Sequence, residues 1–76
     1  MNLHGAYDLL RQIGCRIKQL RIQRAISQGQ LASMCHIHKS SMSDIEAGKI
    51  NVTMHTLLCI VGVFGISMGD FLEGLD

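Results

Sequence analysis

Five short or singly charged side chains, Lys39, Ser40, Ser41, Ser43 and Asp44, form the densest run of hydrogen-bonding chemistry in the chain. Lysine only donates, an ionised aspartate only accepts, and a serine hydroxyl does both. Carried on a helix, such a set can meet the donor and acceptor patterns that base edges present in the major groove, which a helix fits. A solvated surface helix carries the same residue types, so the pattern alone leaves both readings open. A second cluster, Cys35, His36 and His38 with Cys59 or His55, holds metal-ligand types, but Cys-His-x-His is not a zinc framework, which leaves a metal-responsive regulator as a remote alternative. No nucleophile–base–acid set and no glycine-rich phosphate loop is present, and 76 residues are too few for a deep cleft, so the chain reads as a non-enzyme that needs no cofactor or small-molecule ligand.

These residues need helices to position them. Ser27 with Gln30 three places on has the form of a capping box, which opens a helix at Gln28. Leu31, Ala32 and Cys35 supply its short apolar stripe. The pattern breaks at His36-Ile37-His38, and a second helix begins near Lys39 with Met42 and Ile45 facing inward. Ahead of this pair, Leu9, Ile13, Ile17 and Leu20 predict a helix from Tyr7 or Leu9 to Arg24, with Ala25-Ile26 ending it and residues 1 to 6 loose or lightly docked. Gly14 inside it marks either a close approach of another helix or a seam between two shorter ones. Beyond the pair, Gly48 suits a left-handed helix end, and Thr53 suits the cap of a helix over Met54 to Phe64. Leu57, Ile60, Val61 and Phe64 are its inward face, while Leu58, Cys59, Gly62 and Val63 fall on the other side. A helix apolar all round must be covered on both sides, which predicts a homodimer through the second face, the alternative being cover by a fifth helix and the N-terminal segment. The fifth helix starts at Ser67, with Asp70 placed for a capping box, buries Met68, Phe71 and Leu72, and ends at Gly74.

The whole is one small all-α domain over residues 1 to 76, with its core between 9 and 73. Net charge is only +1, but all seven basic residues (Arg11, Arg16, Lys18, Arg21, Arg24, Lys39 and Lys49) lie between 11 and 49, where Asp44 and Glu46 are the only acids, a local net of +5. Such a segment can offer one face to phosphates. Three cysteines without close pairs and an N-terminus unlike a signal peptide indicate the cytoplasm, and the apolar run Leu57 to Ile66 is too short to span a membrane.

Three stretches, IGCRIKQLRIQRAISQGQLA, IHKSSMSDIEAGK and NVTMHTLLCIVGVFGISMGDFL, make the chain resemble the Cro/C-repressor type of helix-turn-helix, the XRE or lambda-repressor-like family, over Ile13 to Leu72. The resemblance implies a compact five-helix DNA-binding domain with the helix-turn-helix at helices 2 and 3. It also implies an ion pair between Arg21 and Glu46 bracing helix 1 against the end of the recognition helix. Lys39, Ser40 and Asp44 then stand as base readers, with Ser41 and Ser43 sharing base or phosphate contacts. Ser27, Gln28 and Gln30 at the start of helix 2, and Lys49 and Asn51 in the loop after helix 3, stand as phosphate contacts. A homodimer of this kind binds double-stranded DNA at an inverted repeat. Two positions depart from the family's pattern: His36 replaces the usual turn glycine and His38 the usual Ser or Thr that opens the recognition helix, so an altered or strained turn is expected. Restriction-modification controllers are the members most similar in the Asn-Val-Thr segment and short acidic end. An antitoxin-type protein-interaction module is the alternative within the family.

Overall fold

A computed structural model describes residues 3 to 75, with side chains from residue 5 onward; Met1, Asn2 and Asp76 lie outside the described residues. Five helices follow one another: α1 (Leu3–Gln23), α2 (Gln28–Met34), α3 (Lys39–Glu46), α4 (Met54–Phe64) and α5 (Met68–Glu73). No strand occurs among the described residues.

Local chemistry fixes most of the helix boundaries. Ser27 and Gln30 form both bonds of the capping box, Gln30 N–H to Ser27 Oγ at 3.0 Å and Ser27 N–H to Gln30 Oε1 at 2.8 Å. Thr53 and Ser67 accept from the amides of Thr56 and Asp70 at 3.1 and 3.0 Å. The first four helices all end in the same way. One or two places past each helix end a residue turns left-handed, at Ala25, His36, Gly48 and Gly65. The next amide then reaches back to the carbonyl five places earlier: Ile26 to Arg21, Ile37 to Ala32, Lys49 to Asp44, and Ile66 to Val61. Three of those following residues, Ile26, Ile37 and Ile66, pack against the core. The fourth, Lys49, is exposed.

The core gathers Ile13, Ile17 and Leu20 of α1, Leu31, Ala32 and Cys35 from α2 and its end, Met42 and Ile45 of α3, the inward face of α4, and Phe71 of α5. Two glycines let α1 cross the end of α3 at backbone range. A Cβ on Gly14 would press into the carbonyl oxygens of Ile45 and Glu46, lying 2.6 Å from the latter, and one on Gly48 would lie 2.8 Å from Arg11 Cα. Gly14 therefore marks a close approach, and α1 is one continuous helix with no seam.

Several boundaries and faces differ from expectation. Residues 3 to 6, expected to be loose, belong to α1, which ends at Gln23, one residue early. Leu9, placed in the core by its spacing, is 46% exposed; it lies one turn before Ile13, the first residue of the core cluster. Leu72 is 47% exposed, since the short α5 turns only Phe71 fully inward and Met68 partly. No described helix is long and apolar enough to cross a membrane.

Candidate nucleic-acid interface

The interface is built around α3. Met42, Ile45 and Glu46 are its buried side, so Ser40, Ser43 and Lys39 stand exposed, with Ser41 and Asp44 half-buried at the flanks. Lys39 leans towards α2, its Cδ lying 3.8 Å from where a Cβ on Gly29 would sit. Ser41 faces the opposite side, where the turn and the α3–α4 loop enclose a shallow groove with His38, Asn51 and Thr53 among its walls. Thus all five lie on the side of α3 away from Met42, Ile45 and Glu46, with Lys39 and Ser41 on its two flanks.

Glu46 holds that surface in place. Its carboxylate receives Arg21 Nε at 2.7 Å and Arg21 Nη2 at 3.0 Å, a two-pronged pair, and Gln28 Nε2 at 3.0 Å. The remaining Arg21 nitrogen, Nη1, donates to the Ile26 carbonyl at 3.0 Å. The hydrogen bond to Glu46 pushes the Arg21 guanidinium above its ordinary range despite the opposing effect of burial. One carboxylate thereby joins α1, α2 and α3. The Arg21–Glu46 pair is present as the resemblance implied, whereas the role of Gln28 was missed; its position at the head of α2 had suggested only a phosphate contact.

Of the phosphate candidates, Lys49 and Asn51 are exposed on the loop. Ser27 Oγ and Gln30 Oε1 accept the two capping-box bonds, which leaves the hydroxyl proton and the Gln30 amide hydrogens for an anion. Gln28 has one amide hydrogen beyond the one given to Glu46.

Several cations of the basic segment are tied to the protein itself. Arg21 is consumed by Glu46. Arg24 donates through Nε and Nη2 to the Phe64 carbonyl at 3.2 and 3.1 Å, closing the end of α4, with its guanidinium 5.1 Å from the centre of the Phe64 ring. Arg16 lies 6.0 Å from the Phe71 ring centre. Arg11 pairs with Asp8, which leaves Lys18, Arg24, Lys39 and Lys49 as exposed cations with no ion pair among the described residues, Arg24 being the one of them tethered by backbone carbonyls and a ring. Apolar neighbours at 24 and 16 could not be foreseen, because Phe64 and Phe71 lie far along the chain.

On α4, Leu58 (52% exposed) and Gly62 remain uncovered, as does Met54, while Cys59 and Val63 are half-buried against the core. The expected second face is therefore real but narrower than its four residues. The cysteine–histidine cluster does not assemble: Cys35 is buried, His36 and His38 are exposed, and no three metal-ligating side chains converge among the described residues. Burial, with a smaller effect from Cys59, pushes the Cys35 thiol up, away from the thiolate a metal requires.

Residues 17–71 match the helix-turn-helix family model. The chain belongs to that family. Its Cro/C-repressor character is borne out by its relatives. The control protein C.BamHI of Bacillus amyloliquefaciens is 33% identical over 61 residues, which cover 79% of this chain and 75% of that protein. The transcriptional regulator DdrOP3 of Deinococcus deserti is 31% identical over 80% of this chain, which spans only 47% of that relative's length. Among solved structures, the wild-type restriction-modification controller protein C.Esp1396I superposes with a TM-score of 0.78 at 28% identity, over 86% of each chain.

Proposed function

We propose that this chain is a cytoplasmic, sequence-specific DNA-binding transcription regulator that reads an inverted repeat as a homodimer, in the manner of a small controller protein. The observation that carries the reading is α3 itself. Its outward face holds only short polar side chains and Lys39, while its inner side is fixed to α1 and α2 through one buried carboxylate. A core helix has no use for such a face, and a merely solvated one has no need of such fixing.

In this reading Lys39, Ser40 and Asp44 meet base edges. Lysine addresses the guanine acceptors, and aspartate accepts from a cytosine amino group or orients the lysine. Ser41 and Ser43 share base and phosphate contacts. Lys49, Asn51, Ser27, Gln28 and Gln30 grip the backbone on either side, setting position without reading sequence. The exposed Met54 and Leu58, with Gly62 between them and the half-buried Cys59 and Val63, provide the surface for the second copy. Two-fold symmetry then brings two α3 helices about one turn of DNA apart, roughly 34 Å. The same patch favours a second reading, an antitoxin-type module whose α4 face binds another protein.

The test is a gel shift of the purified protein against DNA upstream of its own gene, at two salt concentrations, with sedimentation to give the mass in solution. Lys39→Ala is expected to weaken binding by about 1–3 kcal/mol and to relax preference at one base position in each half-site. Unchanged binding and preference remove Lys39 from the reading set. A monomer that binds no DNA but co-purifies with the product of a neighbouring gene favours the antitoxin reading.

A further inference from the structure

We propose that His38 is a specificity-determining residue that reads guanine, its imidazole N–H donating to the N7 or O6 acceptor in the major groove. This rests on the DNA-reading role of α3 argued above and adds a residue to it. The starts of α2, α4 and α5 are all closed by a hydroxyl that accepts from the amide three places on: Ser27, Thr53 and Ser67. The start of α3 is the exception. His38 occupies the cap position with the same extended backbone, φ −70 and ψ 147, but its ring makes no hydrogen bond to the helix. A serine, threonine or asparagine there stabilises a helix start in a way that this imidazole does not. The ring is not recovered by the core either, because His38 is exposed. Its polar atoms are thus uncommitted, at the start of the helix read above as the one that meets base edges.

Position decides what those atoms can reach. Residues at the N-terminal end of a recognition helix are the ones that contact base edges. Lys39, the next residue, lies over Gly29 towards α2. His38 instead borders the groove of about 310 Å³ on the other side, beside Ser41, Asn51 and Thr53. The two neighbouring side chains diverge, and so they address adjoining base pairs rather than the same one. A neutral imidazole offers one N–H donor, and guanine presents two acceptors side by side in the major groove.

The experiment selects duplexes from a randomised pool with the wild-type protein. It then measures wild type, His38→Ser and His38→Asn by fluorescence anisotropy against every single base-pair change of the selected site, at two salt concentrations, alongside thermal melts. His38→Ser restores a hydroxyl cap and is expected to melt higher than wild type. It is nevertheless expected to lose discrimination, about tenfold, at one base pair per half-site, with the salt dependence unchanged. His38→Asn is expected to move preference at that position from guanine to adenine, whose edge an amide matches. A profile identical to wild type in both variants overturns the proposal. So does a uniform loss across all duplexes with a shallower salt dependence, which would make His38 a phosphate contact. If the wild-type protein selects no motif at all, the reading of α3 as a DNA reader fails first, and that outcome is distinct from a motif that His38 variants leave intact.

Discussion

The two ends of α3 are built on opposite terms. At its C-terminal end, Glu46 is gripped by Arg21 and Gln28, and Gly14 and Gly48 let the α1 backbone press close. At its N-terminal end, the cap side chain makes no bond to the helix, the preceding turn holds His36 in a left-handed conformation, and Lys39 and Ser40 stand in solvent. The difference separates two tasks within eight residues. One end fixes where the helix lies, through interactions that lose everything if one partner goes. The other end leaves hydrogen-bonding atoms free, at some expense in helix stability, as the proposed reading of DNA requires.

The contrast breaks most visibly at Glu46. Glu46→Ala leaves the Arg21 guanidinium, only 12% exposed, without its partner and releases Gln28 as well. Removing one member of a buried pair typically costs about 3–5 kcal/mol, a large part of the stability of so small a domain. Urea unfolding monitored by helical circular dichroism measures it, and a loss under about 1 kcal/mol would mean that the pair behaves as an exposed one and that α3 is held by packing alone. Gly14→Ala tests the other half of the anchor. A methyl group normally favours a helix interior over glycine by about 1 kcal/mol, but here it meets the carbonyls of Ile45 and Glu46. Overpacking against backbone is expected to win, with a net loss of about 1–3 kcal/mol. A variant that melts higher than wild type would show the crossing of α1 and α3 to be slack.

Features carried by neighbours in sequence were legible before the fold was known. Ser27 with Gln30, Thr53, Ser67 and Gly48 act over three to five residues, so their types and spacing suffice to place helix ends. The inward faces of α3 and α4 were legible for the same reason. Arg21 and Glu46, 25 residues apart, could be paired only through the family resemblance. What stayed hidden depends on where distant elements stop. Leu9 continues the stripe of α1, yet it lies one turn before the first core residue, Ile13, and stays exposed. Arg24 is an exposed charge, as its place in the basic segment suggests, but only the fold brings the Phe64 carbonyl and ring beside it. Gln28 has the composition of a phosphate ligand, and only the position of Glu46 gives it a second task. In the candidate site, residue types were therefore readable one by one, whereas the bracing that makes them a surface was not.

The smallest effects concern the two left-handed positions that lack glycine, and they sharpen the comparison most finely. Ala25 and His36 have φ of 55 and 57, where Gly48 and Gly65 reach the same region without a Cβ penalty. That penalty is about 1–2 kcal/mol for an L-residue, partly offset by the entropy glycine loses on folding. Ala25→Gly is therefore expected to raise stability by roughly 0.5–1 kcal/mol, and His36→Gly to do the same if the imidazole contributes nothing to the folded chain. The exposed His36 ring has no hydrogen-bond partner among the described residues, so equal gains are expected in thermal melts of the two variants. A gain at Ala25 without one at His36 would show that the turn before α3 draws stability from the histidine. The open end of the recognition helix would then be less free than its missing cap bond implies.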